Sequence, residues 1–295
     1  MQVKEPRRRI MPSTLRCLQV LDVVAREPNA FTFNEIAESL GMEKSSVHRF
    51  IQTLVAAGLL ELDVSNRRYH VAGKALWIGS GYLRYSPVYR AAFPELERLA
   101  HETDALSHLG VWDNDAVLYL QTTRPPGYTL LFANVGGRRP LHSTALGKTM
   151  LAYRPDEDLE RVFARGCERF TDNTITSIDV MRRELVHIRQ LGYTLDNEEG
   201  IPGLRCVAAP IRDSSEGVVA ALSVSAPRAR LTDSEIPRYA RMVQVAALRV
   251  SLQLGYRPAD PRTVLAPITS SDGTVPARSG VGRHAAPSHS PRARG

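Results

Sequence analysis

The stretch from Thr32 to His70 constrains the fold most, because signals for a helix start, a turn, a second helix and a hairpin follow one another there. Thr32 and Glu35 have the S/T-x-x-E spacing of a capping box, which predicts that a short helix begins there. Gly41 can then turn the chain without a Cβ clash. A second helix is expected after this turn, because apolar residues again recur at helical spacing. These residues are Val47, Phe50, Ile51 and Leu54.

The other face of this second helix is polar and basic, as a helix that lies in the major groove of DNA requires. Gly58 is expected to cap its end, and a hairpin with a basic tip follows over residues 59–71. Such a wing usually meets the phosphate backbone or the minor groove. The candidate DNA-binding residues are Lys44, Ser45, Ser46, His48, Arg49, Gln52, Arg67 and Arg68.

Upstream, an apolar stripe predicts a first helix that packs behind the other two. The stripe consists of Leu15, Leu18, Leu21 and Val24. Each helix taken alone could also be an amphipathic element whose charges are only solvated. The combination of capping box, glycine turn, polar face and basic hairpin within about sixty residues favours DNA binding instead.

The distribution of charge agrees with a DNA-binding end. The net charge of the 295-residue chain is +7. Residues 1–75 hold 11 Lys or Arg against 8 Asp or Glu, residues 76–255 hold 21 of each, and residues 256–295 hold 6 against 2. The positive charge therefore lies at the two ends, and the neutral middle is expected to form a domain that does not touch DNA.

No feature of the sequence indicates a membrane, a disulfide framework or a metal. No apolar run approaches the ~18 residues of a membrane span, and no apolar region of a secretory signal follows the basic start. We therefore expect a cytoplasmic protein. Cys17, Cys167 and Cys206 are few, far apart and odd in number, so neither disulfides nor a metal site is predicted. No cofactor is expected.

Patterning along the chain predicts its domain organisation. A basic arm over 1–9 precedes the winged helix-turn-helix of 10–73, and a linker helix over 74–87 leads to a domain of 88–255. The order of its elements argues for an α+β fold with an antiparallel sheet. Among its expected elements are a strand near 130–135 and a last helix capped by Thr232. Residues 256–295 have the composition of a disordered basic tail.

Two segments of the middle domain look like the walls of a ligand site. The loop of residues 140–148 passes through Ser and Thr into a helix, whose start attracts a carboxylate or a phosphate. On extended strands, Ser223 and Ser225 share a face, and so do Cys206 and Ala208. Small polar side chains facing inward suit a small polar ligand. Serines on an alternating strand are, however, more often simply its solvated face.

The chain resembles the IclR family of bacterial transcriptional regulators over about residues 10–255. The resemblance depends on "FNEIAESLGMEKSSVHRFIQTLVAAGLL", on "PLHSTALGK", and on "DNEEGIPGLRCVAAPI" followed by "GVVAALSVS". It implies an N-terminal winged helix-turn-helix, a linker helix and a GAF-like effector-binding domain. It further implies homodimers, often paired into tetramers as dimers of dimers. These bind a palindromic operator in double-stranded DNA and respond to a small metabolite, frequently a carboxylic acid. The effector pocket that it implies here comprises Thr144, Ala145, Asp196, Cys206, Ser223 and Ser225.

Three functions are therefore open at this point, and the first is favoured. It is a transcriptional regulator without enzymatic activity, whose operator binding is modulated by a small carboxylic or aromatic acid. The second is an enzyme that uses Cys206 or His142 as nucleophile or base, although no complete set of nucleophile, base and orienting group can be assembled from the sequence. The third is a sequence-nonspecific DNA organiser that uses the basic tail.

Overall fold

The computed structural model describes residues 10–26, 31–125 and 135–258. The expected basic arm, the tail beyond residue 258 and most of the expected strand near 130–135 lie outside these ranges. Val135 lies in a turn. Within the described ranges, no helix has both the length and the apolar character needed to cross a membrane.

The N-terminal unit contains three helices and a three-stranded antiparallel sheet of order β1-β3-β2. The capping box is present, because Glu35 N donates to Thr32 Oγ1 at 3.3 Å and Thr32 N donates to Glu35 Oε2 at 2.7 Å. Gly41 ends the second helix in the left-handed region, at φ 57°. The elements are α1 (Pro12–Arg26), β1 (Phe31–Thr32), α2 (Phe33–Leu40), α3 (Lys44–Ala56), β2 (Leu60–Asp63) and β3 (Arg68–Val71). The predicted winged helix-turn-helix is therefore confirmed.

Two details of this unit differ from the prediction. In α1, Leu15 and Leu18 are about half exposed, so they do not pack behind α2 and α3. The face that packs consists of residues 17, 20, 21 and 24, which follow the i, i+3, i+4, i+7 spacing more closely than the predicted stripe. At the end of α3, Ala57 is the cap and Gly58 follows it at φ 72°.

Two helices join this unit to the second domain. They are α4 (Gly73–Tyr85) and α5 (Pro87–Thr103). Ser86 separates them and caps α5, because its hydroxyl accepts from Tyr89 N at 3.2 Å. No residue of α4 is fully buried, whereas α5 buries the predicted apolar face that includes Leu96 and Leu99.

The second domain is built on a six-stranded antiparallel sheet of order β6-β5-β4-β9-β8-β7. Its strands are β4 (Leu106–Asp113), β5 (Ala116–Thr123), β6 (Arg138–Pro140), β7 (Thr194–Asn197), β8 (Leu204–Arg212) and β9 (Val218–Pro227). Its further helices are α6 (Ala145–Leu151), α7 (Asp156–Ala164), α8 (Ile178–Leu191) and α9 (Ile236–Gln253). One face of the sheet packs on α5 and α9, and the other packs on α6, α7 and α8. The predicted α+β class is confirmed.

Three elements depart from the sequence interpretation. The short strands β1, in the N-terminal unit, and β6, in the second domain, were not predicted, because two or three residues are too few to show alternation. The last helix begins at Ile236 instead of after Thr232. Pro237 explains the later start, because its fixed φ favours the first turn of a helix and it has no N–H to offer inside one.

Candidate functional site

The candidate DNA-binding face of α3 points outward. Val47, Ile51 and Leu54 are buried, which turns the polar side of the helix toward solvent. Ser46 is half-buried, and the other five candidates on this helix are exposed: Lys44, Ser45, His48, Arg49 and Gln52. Within the described ranges Arg49 forms no ion pair.

The imidazole of His48 packs edge-on against the ring of Phe33, with centroids 6.2 Å apart. This contact fixes the ring relative to α2. The face therefore offers one free guanidinium together with a positioned imidazole, which suits contacts with base edges and phosphates.

The two arginines of the hairpin differ in their surroundings. Arg67 is exposed at the turn with φ 56°, in the left-handed region. The guanidinium of Arg68 lies 3.2 Å from Glu35 Oε2, and Glu35 also accepts from the backbone of Thr32. These hydrogen bonds and the nearby Arg68 lower the pKa of the Glu35 carboxyl. Glu35 therefore connects the start of α2 to the wing through its ion pair with Arg68.

The six predicted effector-binding residues line one cavity, which encloses about 610 Å³ with its mouth included. Strand pairing explains why four of them meet. Asp196 is opposite Cys206, Cys206 is opposite Ser225, and Ser223 lies two residues before Ser225 on the same face. The start of α6, with Thr144 and Ala145, closes the cavity above this row.

The loop before α6 is held against the domain by its own side chains. Thr144 Oγ1 donates to Pro140 O at 2.9 Å and accepts from Gly147 N at 3.1 Å, so this hydroxyl is already used as a helix cap. Gly147 approaches Leu141 so closely that a Cβ at this position would lie 2.3 Å from the Leu141 oxygen. Position 147 therefore requires glycine. Ala145 is the first residue of α6 and lines the cavity, so its backbone amide is the first helical donor at the cavity.

Asp196 is the buried acid of the cavity. Its Oδ1 accepts from Glu199 N at 2.8 Å. Burial, with a smaller contribution from the nearby Glu199, raises the pKa of Asp196 to about 7. Lys148 and the hydrogen bonds to this carboxyl act in the opposite direction. Asp196 can therefore exist in either protonation state near neutral pH, and this decides whether it repels or accommodates an acidic ligand.

A fully buried lysine lies next to this acid. Lys148 Nζ donates to Glu199 Oε1 at 2.7 Å, to Glu184 Oε1 at 2.9 Å and to Leu195 O at 2.8 Å. The side chain is 0% exposed. The two carboxylates raise the pKa of Lys148 despite its burial, so the ammonium remains charged. These bonds connect α6 to α8, β7 and the turn after β7.

Cys206 and His142 do not have the surroundings of a nucleophile or a base. Ser225 Oγ donates to Cys206 Sγ at 3.0 Å, and burial raises the pKa of the thiol well above its ordinary value. A nucleophilic cysteine requires the opposite shift. His142 is buried with Nε2 2.9 Å from Glu168 O, and its ring stacks on Phe170. In the described ranges no group of three or more His, Cys, Asp and Glu is arranged to hold a metal ion.

The cavity also contains residues that sequence reasoning missed. They include His108 on β4, Tyr119 on β5, Arg139 on β6, and Phe170, Ile201 and Leu204 from the loops and β8. Alternation along β4 places Leu106, His108 and Gly110 on one face. Only the pairing of β4 with β9 shows that this face lines the cavity.

The fold and the two sites define a DNA-binding protein with a separate ligand-binding domain, and known proteins agree with this class. Residues 13–64 match the IclR helix-turn-helix domain, and residues 80–252 match the domain described as Bacterial transcriptional regulator IclR C-terminal. The chain belongs to the IclR family of bacterial transcriptional regulators.

Curated relatives include two regulators with long matches. The HTH-type transcriptional regulator BhcR of Paracoccus denitrificans is 38% identical over 243 residues, which cover 82% of this chain and 87% of that protein. The HTH-type transcriptional regulator KdgR of Escherichia coli is 32% identical over 246 residues, which cover 83% of this chain and 93% of that protein. The interpretation as a regulator instead of an enzyme is confirmed by these relatives.

Solved structures show the same fold. The IclR transcriptional regulator from Alicyclobacillus acidocaldarius has a TM-score of 0.75 and 28% identity, covering 83% of this chain and 100% of that one. An IclR homologue from Microbacterium hydrocarbonoxydans, complexed with 4-hydroxybenzoate, has a TM-score of 0.70 over 82% of this chain and 99% of that one. At 24% identity, the second likeness concerns the fold alone.

Proposed function

We propose that this regulator binds a palindromic operator through α3, and that a small carboxylic or aromatic acid in the cavity of the second domain modulates that binding. The observation that carries the proposal is the convergence of Asp196, Cys206, Ser223 and Ser225 with the start of α6 on one cavity. The same chain presents an exposed polar helix face for DNA.

The chemistry of the cavity favours an acid as the effector. The amides of Ala145 and Leu146 have no hydrogen-bond acceptor within the described ranges, whereas the hydroxyl and carbonyl of Thr144 take up the next two amides. Amides at a helix start are donors for a carboxylate. Ser223 and Ser225 add hydroxyls, and a protonated Asp196 can donate to the ligand. The Microbacterium homologue, which has the same fold, is complexed with 4-hydroxybenzoate, so this fold can hold an aromatic acid.

We propose a homodimer as the DNA-binding unit and a dimer of dimers as its higher assembly. Two sets of exposed apolar side chains support an interface between copies. One set is on and before α1, namely Ile10, Met11, Leu15 and Leu18. The other set is on α4, namely Leu76, Trp77, Ile78, Tyr82 and Tyr85. Two α3 helices held about one turn of DNA apart, ~34 Å, would then match the two half-sites of a palindrome.

The effector would act by a population shift between arrangements of the paired subunits. A ligand changes such an equilibrium only through a difference in affinity for the two states. The route that we propose runs through residues 74–87, since α4 leads from the DNA-binding unit of 10–73 to the effector domain of 88–255. The remaining segments, 1–9 and 256–295, would add nonspecific attraction to DNA through their positive charge. We place the protein in the cytoplasm, in contact with DNA and not with a membrane.

The test is binding of the purified protein to its own upstream intergenic DNA and to random DNA of equal length, with and without a panel of small carboxylic and aromatic acids. We expect tighter binding to the upstream DNA and a shift of that binding by one acid of the panel. Equal binding of both DNAs that no acid alters would contradict the proposal and favour the nonspecific organiser.

A further inference from the structure

His108 occupies the part of the cavity that lies away from Asp196. It stands on β4 directly opposite Ser223 of β9, so the two side chains share the face that lines the cavity. His108 is only 2% exposed. Asp196 lies on β7, three strand spacings from β4 in the sheet order. At ~4.8 Å for each spacing, the backbones of β4 and β7 are about 14 Å apart.

The ring of His108 is fixed, and one of its nitrogens is unused. Nδ1 lies 3.0 Å from Thr122 Oγ1, and the ring packs edge-on against Tyr119 with centroids 5.5 Å apart. Nε2 has no hydrogen-bond partner in the ranges that the structure describes. Within the described ranges, the side-chain polar atoms that are both sealed from solvent and without a partner are Thr123 Oγ1 and Glu199 Oε2. Nε2 of His108 is therefore not sealed, and it opens onto the cavity that its residue lines.

The protonation state of this imidazole limits what it can bind. Burial lowers the pKa of His108 to about 4, so the ring is neutral at physiological pH. A neutral imidazole offers a hydrogen bond without a full charge. Because the Thr122 hydroxyl can donate to Nδ1 or accept from it, Nε2 can donate to a carbonyl oxygen or accept from a hydroxyl.

A ligand whose hydrocarbon part alone reached His108 would leave this nitrogen without a hydrogen bond. A buried polar atom without a partner is costly, whereas a ligand oxygen at this place would satisfy it. Sites built to hydrogen-bond a ligand group discriminate strongly against analogues that lack the group.

We propose that His108 is a specificity-determining residue of the effector pocket, where it binds a hydroxyl or carbonyl oxygen at the end of the effector that lies away from Asp196. The effector is then a hydroxy- or oxo-carboxylic acid whose two oxygen functions are separated by several bonds. This inference rests on the proposed function for the carboxylate end alone.

The experiment compares acids in matched pairs by calorimetry on the full-length protein. The pairs are 4-hydroxybenzoate with benzoate, 4-hydroxybutyrate with butyrate, and 4-oxopentanoate with pentanoate. In at least one pair, the oxygen-bearing acid should bind about tenfold more tightly than its partner, as one hydrogen bond to a buried group predicts.

Three variants assign this preference to His108. His108→Phe keeps the ring size and should remove the preference, whereas His108→Gln keeps a polar group at a similar reach and should retain part of it. His142→Phe is the matched control, because His142 is also buried but its Nε2 already faces Glu168 O at 2.9 Å. The control should keep the wild-type preference. Thermal unfolding of each variant checks that it is folded.

Equal binding within every pair of the wild-type protein would overturn the inference, and so would a preference that His108→Phe leaves intact. Binding of none of the six acids would overturn it as well. Equal binding within the wild-type pairs is decisive by itself and does not depend on whether any variant folds. Operator binding without ligand is measured in parallel. If it discriminates upstream from random DNA while the acid pairs do not differ, the inference about His108 fails and the DNA-binding function stands.

Discussion

The two domains hold their polar functional side chains in opposite ways. On α3, long side chains such as Lys44 and Arg49 project into solvent and meet little of the protein itself. In the cavity, short side chains such as Ser223 and Ser225 are buried, and Asp196 is fixed by a hydrogen bond from the backbone. A surface that binds a large, charged partner can remain solvated until the partner arrives, whereas a pocket for a small ligand must be organised in advance.

The largest effect should come from removing the buried charge of Lys148, which lies next to Asp196. Lys148→Met leaves the buried carboxylate of Glu199 without the ammonium that pairs with it. Breaking a buried ion pair typically costs ~3–5 kcal/mol of unfolding free energy. We expect a loss of this size in denaturant unfolding of the effector domain. The double variant Lys148→Met/Glu199→Leu should lose less, because one unpaired charge is also removed. A single variant as stable as the wild type would show that the pocket is not organised in the way described.

The next effect concerns Arg49. Arg49→Ala removes an exposed guanidinium that forms no ion pair in the described ranges, so the fold should be unaffected. A bidentate contact to a base contributes ~1–3 kcal/mol of discrimination. We expect the ratio of affinities for upstream and random DNA to fall accordingly in anisotropy titrations. Gln52→Ala, on the same exposed face, provides a comparison. An unchanged ratio would mean that another element recognises the operator.

A moderate effect is expected from pH. Because the pKa of Asp196 is raised to about 7, its ionised form dominates above that value and repels a carboxylate ligand. Binding of an acid should then require proton uptake above pH 7, and the affinity should fall by up to about tenfold for each pH unit there. Below pH 7 the affinity should level off.

Asp196→Asn keeps an oxygen that can accept from Glu199 N and should remove this pH dependence. Calorimetric titrations between pH 6 and pH 9 would measure both proteins. The raised pKa also makes the free energy of unfolding depend on pH. The folded protein retains its proton at a pH where the unfolded chain has lost it, so Asp196 lowers the free energy of unfolding as pH rises from about 4 to about 7.

The smallest effect separates the two arginines of the wing. Arg67→Ala should weaken binding to upstream and random DNA equally, and should reduce the slope of affinity against salt by about one phosphate contact. Arg68→Ala should also lower the melting temperature slightly, since its exposed ion pair with Glu35 is lost. Thermal unfolding and titrations at several salt concentrations distinguish the two. Identical behaviour of both variants would argue against the role of Glu35 in holding the wing.

The same contrast explains what could be predicted from the sequence. Capping, helical periodicity and the glycine turn are local, so α2, α3 and the exposed face of Arg49 follow from neighbouring residues. The pocket depends on which strands are adjacent. Ser223 and Ser225 were indistinguishable from a solvated face until β9 was paired with β8 and β4. His108 was missed for this reason, and residues 15 and 18 were misplaced because two helical stripes differ by only a fraction of a turn.

The buried ammonium of Lys148 has a consequence for how the domain assembles. Its three acceptors come from α8, from β7 and from the turn after β7, which are far from α6 in the chain. Such a charge can leave water only when all the acceptors are in place, so any partial structure would carry an unfavourable charge. These segments should therefore open and close as one cooperative unit, and their slowest amide hydrogens should exchange at a common rate.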